Sequence, residues 1–154
     1  MRTIAEVTDD DGIANARTLF REYAAGLGVD LCFQNFEAEL AGLPGDYAPP
    51  QGTLVLAHVD GALAGCVAAH RWDAGACEMK RLYVRDAFRG TGCGVALVQH
   101  VIDWARASGF GRVVLDTLPS MGDAQRMYER FGFRETAPYR PNPVPGARYL
   151  ALDL

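Results

Sequence analysis

The chain has 154 residues, 49% of them apolar and 22% charged, with 15 basic against 19 acidic side chains and a formal charge of −4. That length carries one domain over residues 1–154 with a core of its own, and the acidic balance gives no electrostatic reason to expect nucleic acid or an anionic membrane. No basic-then-apolar leader or bilayer-length run is seen, and the four cysteines, at 32, 66, 77 and 93, include no Cys-x-x-Cys pair, so no metal or disulfide framework is expected and a reducing cytoplasm fits.

Thr3–Val7 reads as a first strand, and Asp9-Asp10-Asp11 supplies N-cap candidates for a helix. Its apolar face is Ile13, Ala16, Leu19, Phe20, Tyr23, Ala24 and Leu27, and Gly26 and Gly28 end it. Phe33, Phe36, Leu40 and Leu43 predict a second, shorter helix. The Pro- and Gly-rich run from Pro44 to Gly52 is a surface connection. Thr53–Val59, Asp60-Gly61 and Ala62–Trp72 form a hairpin signal. A turn at Asp73-Ala74-Gly75 then leads into a third strand, Ala76–Val84, which completes an antiparallel meander.

Past a glycine-rich loop, Val95, Val98, Val101, Ile102 and Ala105 mark a helix stopped at Gly109. Arg112–Thr117 is a buried-type strand, so strand, helix and strand imply a right-handed crossover with the two strands parallel. Ser120 or Asp123 can cap a last helix carrying Ala124, Met127, Tyr128 and Phe131, closed by Gly132. Phe133–Tyr139 and Ala147–Leu154 are the final strands, joined by a proline-rich loop. The fold class is α/β: a mixed, largely antiparallel sheet of about seven strands flanked by about four helices.

The glycines of Arg89-Gly90-Thr91-Gly92-Cys93-Gly94 let the backbone approach a ligand closely. The helix start behind them offers free N–H groups and a positive dipole end, which suits phosphate. A P-loop fails, because Val95 and Ala96 follow Gly94 where Lys and Ser/Thr are required. A dinucleotide fingerprint gains from Asp116 on the next strand. Against it, the third glycine falls one residue early, five residues separate Val84 from Gly90, and a meander precedes. Acyl-CoA is a third competing phosphate-bearing class, and a tight turn without ligand is the plain alternative.

The loop resembles the Arg/Gln-x-x-Gly-x-Gly/Ala loop of the GNAT superfamily of N-acetyltransferases. Ala124-x-x-x-Tyr128-x-x-x-Gly132-Phe133 is similar to that family's late-helix signature, and the element order from Thr3 to Leu154 looks like the whole GNAT fold. The resemblance implies that main-chain groups from Arg89 to Gly94 hold the pyrophosphate of acetyl-CoA. Leu82, Tyr83 and Val84 would flank the pantetheine arm in a gap between the Ala76–Val84 and Arg112–Thr117 strands. Where the family often has Asn seven residues before the tyrosine, this chain has Met121, and Ser120 is a possible substitute.

Acetyl transfer to an amine needs a neutral amine, an oxyanion donor and a proton for the leaving thiolate. Neutralising an amine of pKa near 10.4 at neutral pH costs roughly 4–5 kcal/mol. Glu78 matches the strand glutamate that some family members use as base; strict alternation would place it on one face with Lys80, Leu82 and Val84. An ordinary ion pair with Lys80 or a neighbouring arginine is the competing reading. Tyr128 matches the family's general acid beside the sulfur, against a role as core aromatic. The oxyanion donor would be a main-chain N–H near Leu82.

Cys93 has no sequence-adjacent histidine, so direct transfer is expected rather than an acyl-cysteine. Asp116 either steers a cationic substrate or is a solvated carboxylate. Leu31–Gly42 and the Tyr139–Gly146 loop, with Tyr139 and Asn142 as polar contacts, are the expected acceptor wall. The implied activity is acetyl-CoA-dependent N-acetyltransfer to a primary amine of a small molecule or peptide, with a homodimer compatible. A non-catalytic acyl-CoA-binding or regulatory domain of the same fold is the alternative.

Overall fold

The computed structural model describes residues 1–28, 31 and 35–154. The strands are β1 (Arg2–Glu6), β2 (Gly52–Val59), β3 (Ala62–Arg71), β4 (Ala76–Val84), β5 (Arg112–Thr117), β6 (Arg134–Glu135) and β7 (Arg148–Asp153). The helices are α1 (Asp10–Leu27), α2 (Phe36–Ala41), α3 (Cys93–Ala107) and α4 (Gly122–Phe131). One sheet runs β1-β2-β3-β4-β5-β7-β6. All neighbours are antiparallel except β4 and β5, as the crossover rule requires of a strand–helix–strand unit.

Local chemistry explains most boundaries. The Asp9 carboxylate accepts from the Gly12 N–H at 2.8 Å and starts α1, while Gly28, at φ 68°, ends it. Asp60 and Gly61, both at positive φ, close the β2–β3 turn. Asp73 Oδ1 accepts from the N–H groups of Gly75 and Ala76, which sets the start of β4.

The sheet separates two apolar layers. On one side Val55, Val67, Cys77, Met79, Val113 and Leu115 meet Leu97, Val98, Val101 and Ile102 of α3 and Tyr128 of α4. On the other, Leu54, Leu56, Cys66 and Ala68 meet Ala16, Leu19 and Phe20 of α1 and Phe36 and Leu40 of α2. Burying each such aliphatic side chain contributes about 1.5–3 kcal/mol, so the helices are fixed by their apolar stripes rather than by propensity.

Four expectations change. The strand expected over Phe133–Tyr139 pairs only at Arg134–Glu135, because Pro138 has no N–H to give and Tyr139 turns its hydroxyl to Glu78 instead. Neither Ser120 nor Asp123 caps α4; Met121 occupies the N-cap, without a side-chain hydrogen bond. The second helix begins at Phe36; Phe33, like Cys32, lies outside the described residues. Alternation also fails along β4, where Arg81 takes φ 63° and the register to β3 slips between Cys66 and Ala68.

That slip is a β-bulge, an extra residue in one strand that redirects the side chains after it. Arg81 keeps to the α1 side with Lys80: its guanidinium bonds Glu39 of α2 through Nε and Nη2, both at 2.9 Å. Leu82 and Val84 pack on the α3 side. Glu78 and Lys80 therefore do not share a face with Leu82 and Val84.

Candidate active site

β4 and β5 pair only at Ala76–Arg112, Cys77–Val113 and Glu78–Val114. Beyond that point the strands part, and a cavity of about 30 Å³ lies in the gap. Its walls include Lys80 and Leu82 of β4, Asp116 of β5, Tyr23 and Leu27 of α1, and Tyr128 of α4. Tyr23, Leu27, Leu82 and Met121 also line an open groove of about 950 Å³, so the two spaces share these walls.

The groove runs past Leu82, Tyr83, Val84, Arg89, Gly90, Gly92, Cys93 and Gly94 to Ser120 and the α4 residues Ala124, Arg126, Met127 and Arg130. α3 begins at Gly92, at φ 83°, with no side chain capping its first N–H groups, which leaves that end for an anion. Gly90 is also at positive φ, 78°. The Arg89 N–H is already given to the Asp86 carbonyl at 3.3 Å. Arg2 of the edge strand reaches over and donates Nη1 to the Thr91 carbonyl at 2.9 Å. The Thr91 hydroxyl donates to the Phe88 carbonyl and lies 3.3 Å from Cys93 Sγ, and Cys93 is buried.

Arg126 and Arg130 escaped the sequence reading. Their spacing of four along α4 was the available signal, since it puts both on one helix face. With Arg89 they give the groove three cationic side chains against the single carboxylate of Asp123.

Tyr128 is buried against Phe133, ring centroids 5.6 Å apart, and faces the cavity. Burial pushes its phenol up, with Tyr23 and Asp116 adding to the effect, so it stays protonated at neutral pH. A thiol in the same dry surroundings rises too; burial takes Cys77 to about 12.

Glu78 is fully buried, at 0% exposure, and is not part of the cavity wall. Its Oε1 lies 2.9 Å from His70 Nε2 and accepts from Arg140 Nη2, also at 2.9 Å; its Oε2 accepts from the Tyr139 hydroxyl at 2.6 Å. Burial alone would raise this carboxyl; the hydrogen bonds from His70 and Tyr139 and the charges of Lys80 and Arg140 outweigh it and hold it below its ordinary value. The acid is thus ionised and saturated with donors. An ion pair is present, but its cation is Arg140, far along the chain, rather than Lys80 or an arginine neighbouring Glu78.

Of the expected acceptor-side residues, Asn142 lines the cavity and donates to Asp116 Oδ2 at 3.0 Å. Tyr139 lies behind it, its ring against Trp72 and Tyr149. Leu31 lines the cavity, whereas Phe36 is buried in the α1 layer. Lys80 also escaped the sequence reading. It borders the cavity and makes no hydrogen bond or ion pair among the described residues. Burial first, then repulsion from Arg81, lowers its ammonium to about 8.

The family model described as the acetyltransferase (GNAT) family matches residues 17–133. An uncharacterized N-acetyltransferase of Schizosaccharomyces pombe is 40% identical over 154 residues, covering 99% of this chain and 94% of that protein. An N-acetylaspartate synthetase of Danio rerio is 33% identical over 117 residues, 75% of this chain and 42% of that protein. Among solved structures, an acetyltransferase from Streptococcus agalactiae superposes with TM-score 0.82 at 22% identity, over 99% of this chain and 98% of the other. A GNAT family acetyltransferase from Elizabethkingia anophelis with acetyl-CoA bound gives TM-score 0.64 at 22% identity, over 99% and 98%.

Proposed function

We propose, from the premise that this chain belongs to the GNAT family of acetyltransferases and is an acyltransferase, that it moves an acetyl group directly from acetyl-CoA to the primary amine of a small acceptor. The observation that carries this reading is the parting of β4 from β5. It joins a glycine-lined cationic groove to a cavity walled by a buried tyrosine.

The first N–H groups of α3 at Gly92–Gly94, with Arg126 and Arg130, suit a diphosphate. Leu82, Tyr83 and Val84 have no strand partner on the β5 side, and main-chain groups of a separated strand suit an extended amide-bearing arm. As the amine nitrogen bonds to the carbonyl carbon, the carbon–sulfur bond breaks and its electron pair goes to sulfur. The Tyr128 hydroxyl gives sulfur a proton, the surplus proton of the amine leaves to water, and Tyr128 is reprotonated from water. Glu78 serves this step as a positioning residue. Its fixed charge holds Tyr139 and Arg140 behind the acceptor wall, and the lowered basicity of its saturated carboxylate argues for proton loss through water.

Thiol release from acetyl-CoA across an amine panel tests the reading. Tyr128→Phe is expected to lower kcat by about 10²-fold, the low end of acid–base contributions, with coenzyme A affinity retained. Tight coenzyme A binding without thiol release from any amine would overturn acyl transfer and leave a binding domain.

A further inference from the structure

Lys80 and Asp116 each lie two residues beyond the last β4–β5 pair, Glu78–Val114. In a parallel ladder, residues the same number of steps past a pair stand at one level, about 4.8 Å apart while the strands remain hydrogen-bonded. Here the strands have separated, and the ammonium and the carboxylate face one cavity from opposite walls. They do not close on each other: no ion pair joins them, and among the described residues no cation pairs with Asp116. Among the described residues its carboxylate accepts a side-chain hydrogen bond from Asn142 alone.

The neighbouring charges are accounted for otherwise. Arg81 is held by Glu39, and Arg140 by Glu78. Among the described residues, Lys80 and Asp116 are thus the charges of the gap with no partner of opposite sign, on the two strands that flank it.

We propose that the acceptor is a small amino-carboxylate, an amino acid or close analogue, whose carboxylate is received by Lys80 and whose ammonium is received by Asp116. This rests on the acyl-transfer reading above and narrows its acceptor. A zwitterion would satisfy both strands at once, whereas a simple amine would leave Lys80 unpaired and a simple acid would offer nothing to acetylate. Lys80 is half-buried and bonded to no carboxylate among the described residues, and a partly desolvated cation of this kind is satisfied by a ligand carboxylate. Burial and the charge of Arg81 outweigh the pull of Glu78 and Glu39 and lower the Lys80 ammonium to about 8; a carboxylate beside it would raise it again.

The test is thiol release from acetyl-CoA with matched acceptors: each of a set of α-amino acids beside its amide and its decarboxylated amine. In the unmodified protein kcat/KM for the acids should exceed that for the amides by about 10-fold or more, as a charge-assisted hydrogen bond implies. Lys80→Met and Lys80→Gln, run side by side and both checked for coenzyme A binding by calorimetry, should bring the ratio to within about 2-fold of unity, and Lys80→Arg should keep most of it. Asp116→Asn should raise KM for the acids more than it lowers kcat. Amides used as well as acids, or a preference that survives both Lys80 variants, overturns the assignment and leaves acyl transfer standing. Absence of thiol release with every amine overturns both.

Discussion

Replacing Glu78 by Gln removes one charge while keeping the side chain's shape, so it isolates what the carboxylate does. In the folded chain that carboxylate takes His70 and Arg140 at 2.9 Å and Tyr139 at 2.6 Å with no exposure to solvent. The Arg140 side chain is only 19% exposed, and its Nε is already buried without a partner among the described residues. Removing one partner of a buried pair costs about 3–5 kcal/mol. A glutamine carbonyl in the Oε1 position still accepts from His70 and Arg140 while the Tyr139 hydroxyl loses its acceptor and Arg140 its counter-charge, which places the loss at the lower end, near 3 kcal/mol. At about 2–4 °C per kcal/mol for a chain of this size, Tm falls by about 6–12 °C.

The pH dependence follows from the direction of the shift. A carboxyl lowered in the folded state stabilises it above the unfolded value of 4.5 and loses that contribution as pH falls through the folded value. The Glu78→Gln deficit should therefore be full at neutral pH and narrow below about 4.5. Urea unfolding followed by circular dichroism at each pH measures it, and Glu78→Gln/Arg140→Met should recover at least about 1 kcal/mol by removing the orphaned cation. A Tm loss under about 2 °C, or a deficit of the same size near pH 7 and near pH 3, would refute the reasoning.

Coenzyme A at about 100 times its Kd should raise stability by about 2.7 kcal/mol, a Tm gain of about 5–11 °C by differential scanning fluorimetry. Gly92→Ala should shrink that gain: the new side chain must adopt left-handed backbone at about 1–2 kcal/mol, and its Cβ would meet Arg2 Nη1 at 2.6 Å. Because the Lys80 pKa is lowered from 10.5 to about 8, the unfolded chain holds more protons between those values and stability rises with pH there. Lys80→Met should flatten that rise. Above about pH 10 the raised phenols of Tyr128 and Tyr139 act in the opposite sense, so the comparison belongs between pH 8 and 10.

Sequence reasoning succeeded where information is local. β5 starts at Arg112 and ends at Thr117 as patterned, and β4 spans Ala76–Val84, because apolar runs between turn residues announce themselves. It failed at Arg81. Nothing in Lys80-Arg81-Leu82 signals left-handed backbone, which normally favours glycine or asparagine. The conformation is held from outside, by Glu39 and by the rings of Tyr23 and Phe36 under the guanidinium. The glycine loop and Tyr128 were legible as motifs and fall on an adjoining groove and cavity that share walls. The surroundings of Glu78 were not, since His70, Tyr139 and Arg140 meet it only through a sheet register and a returning loop.

A sheet stitched along one seam by only three residue pairs is mechanically two plates, β1–β4 on one side and β5–β7–β6 on the other, spanned by α3. Relative tilt of the plates sets how wide the seam gapes, so a bound arm long enough to lie between them acts as a wedge and a clasp together. Amide exchange at Leu82–Val84 should then slow with the full thioester donor and hardly respond to its nucleotide end alone, because that fragment grips the rim without entering the seam.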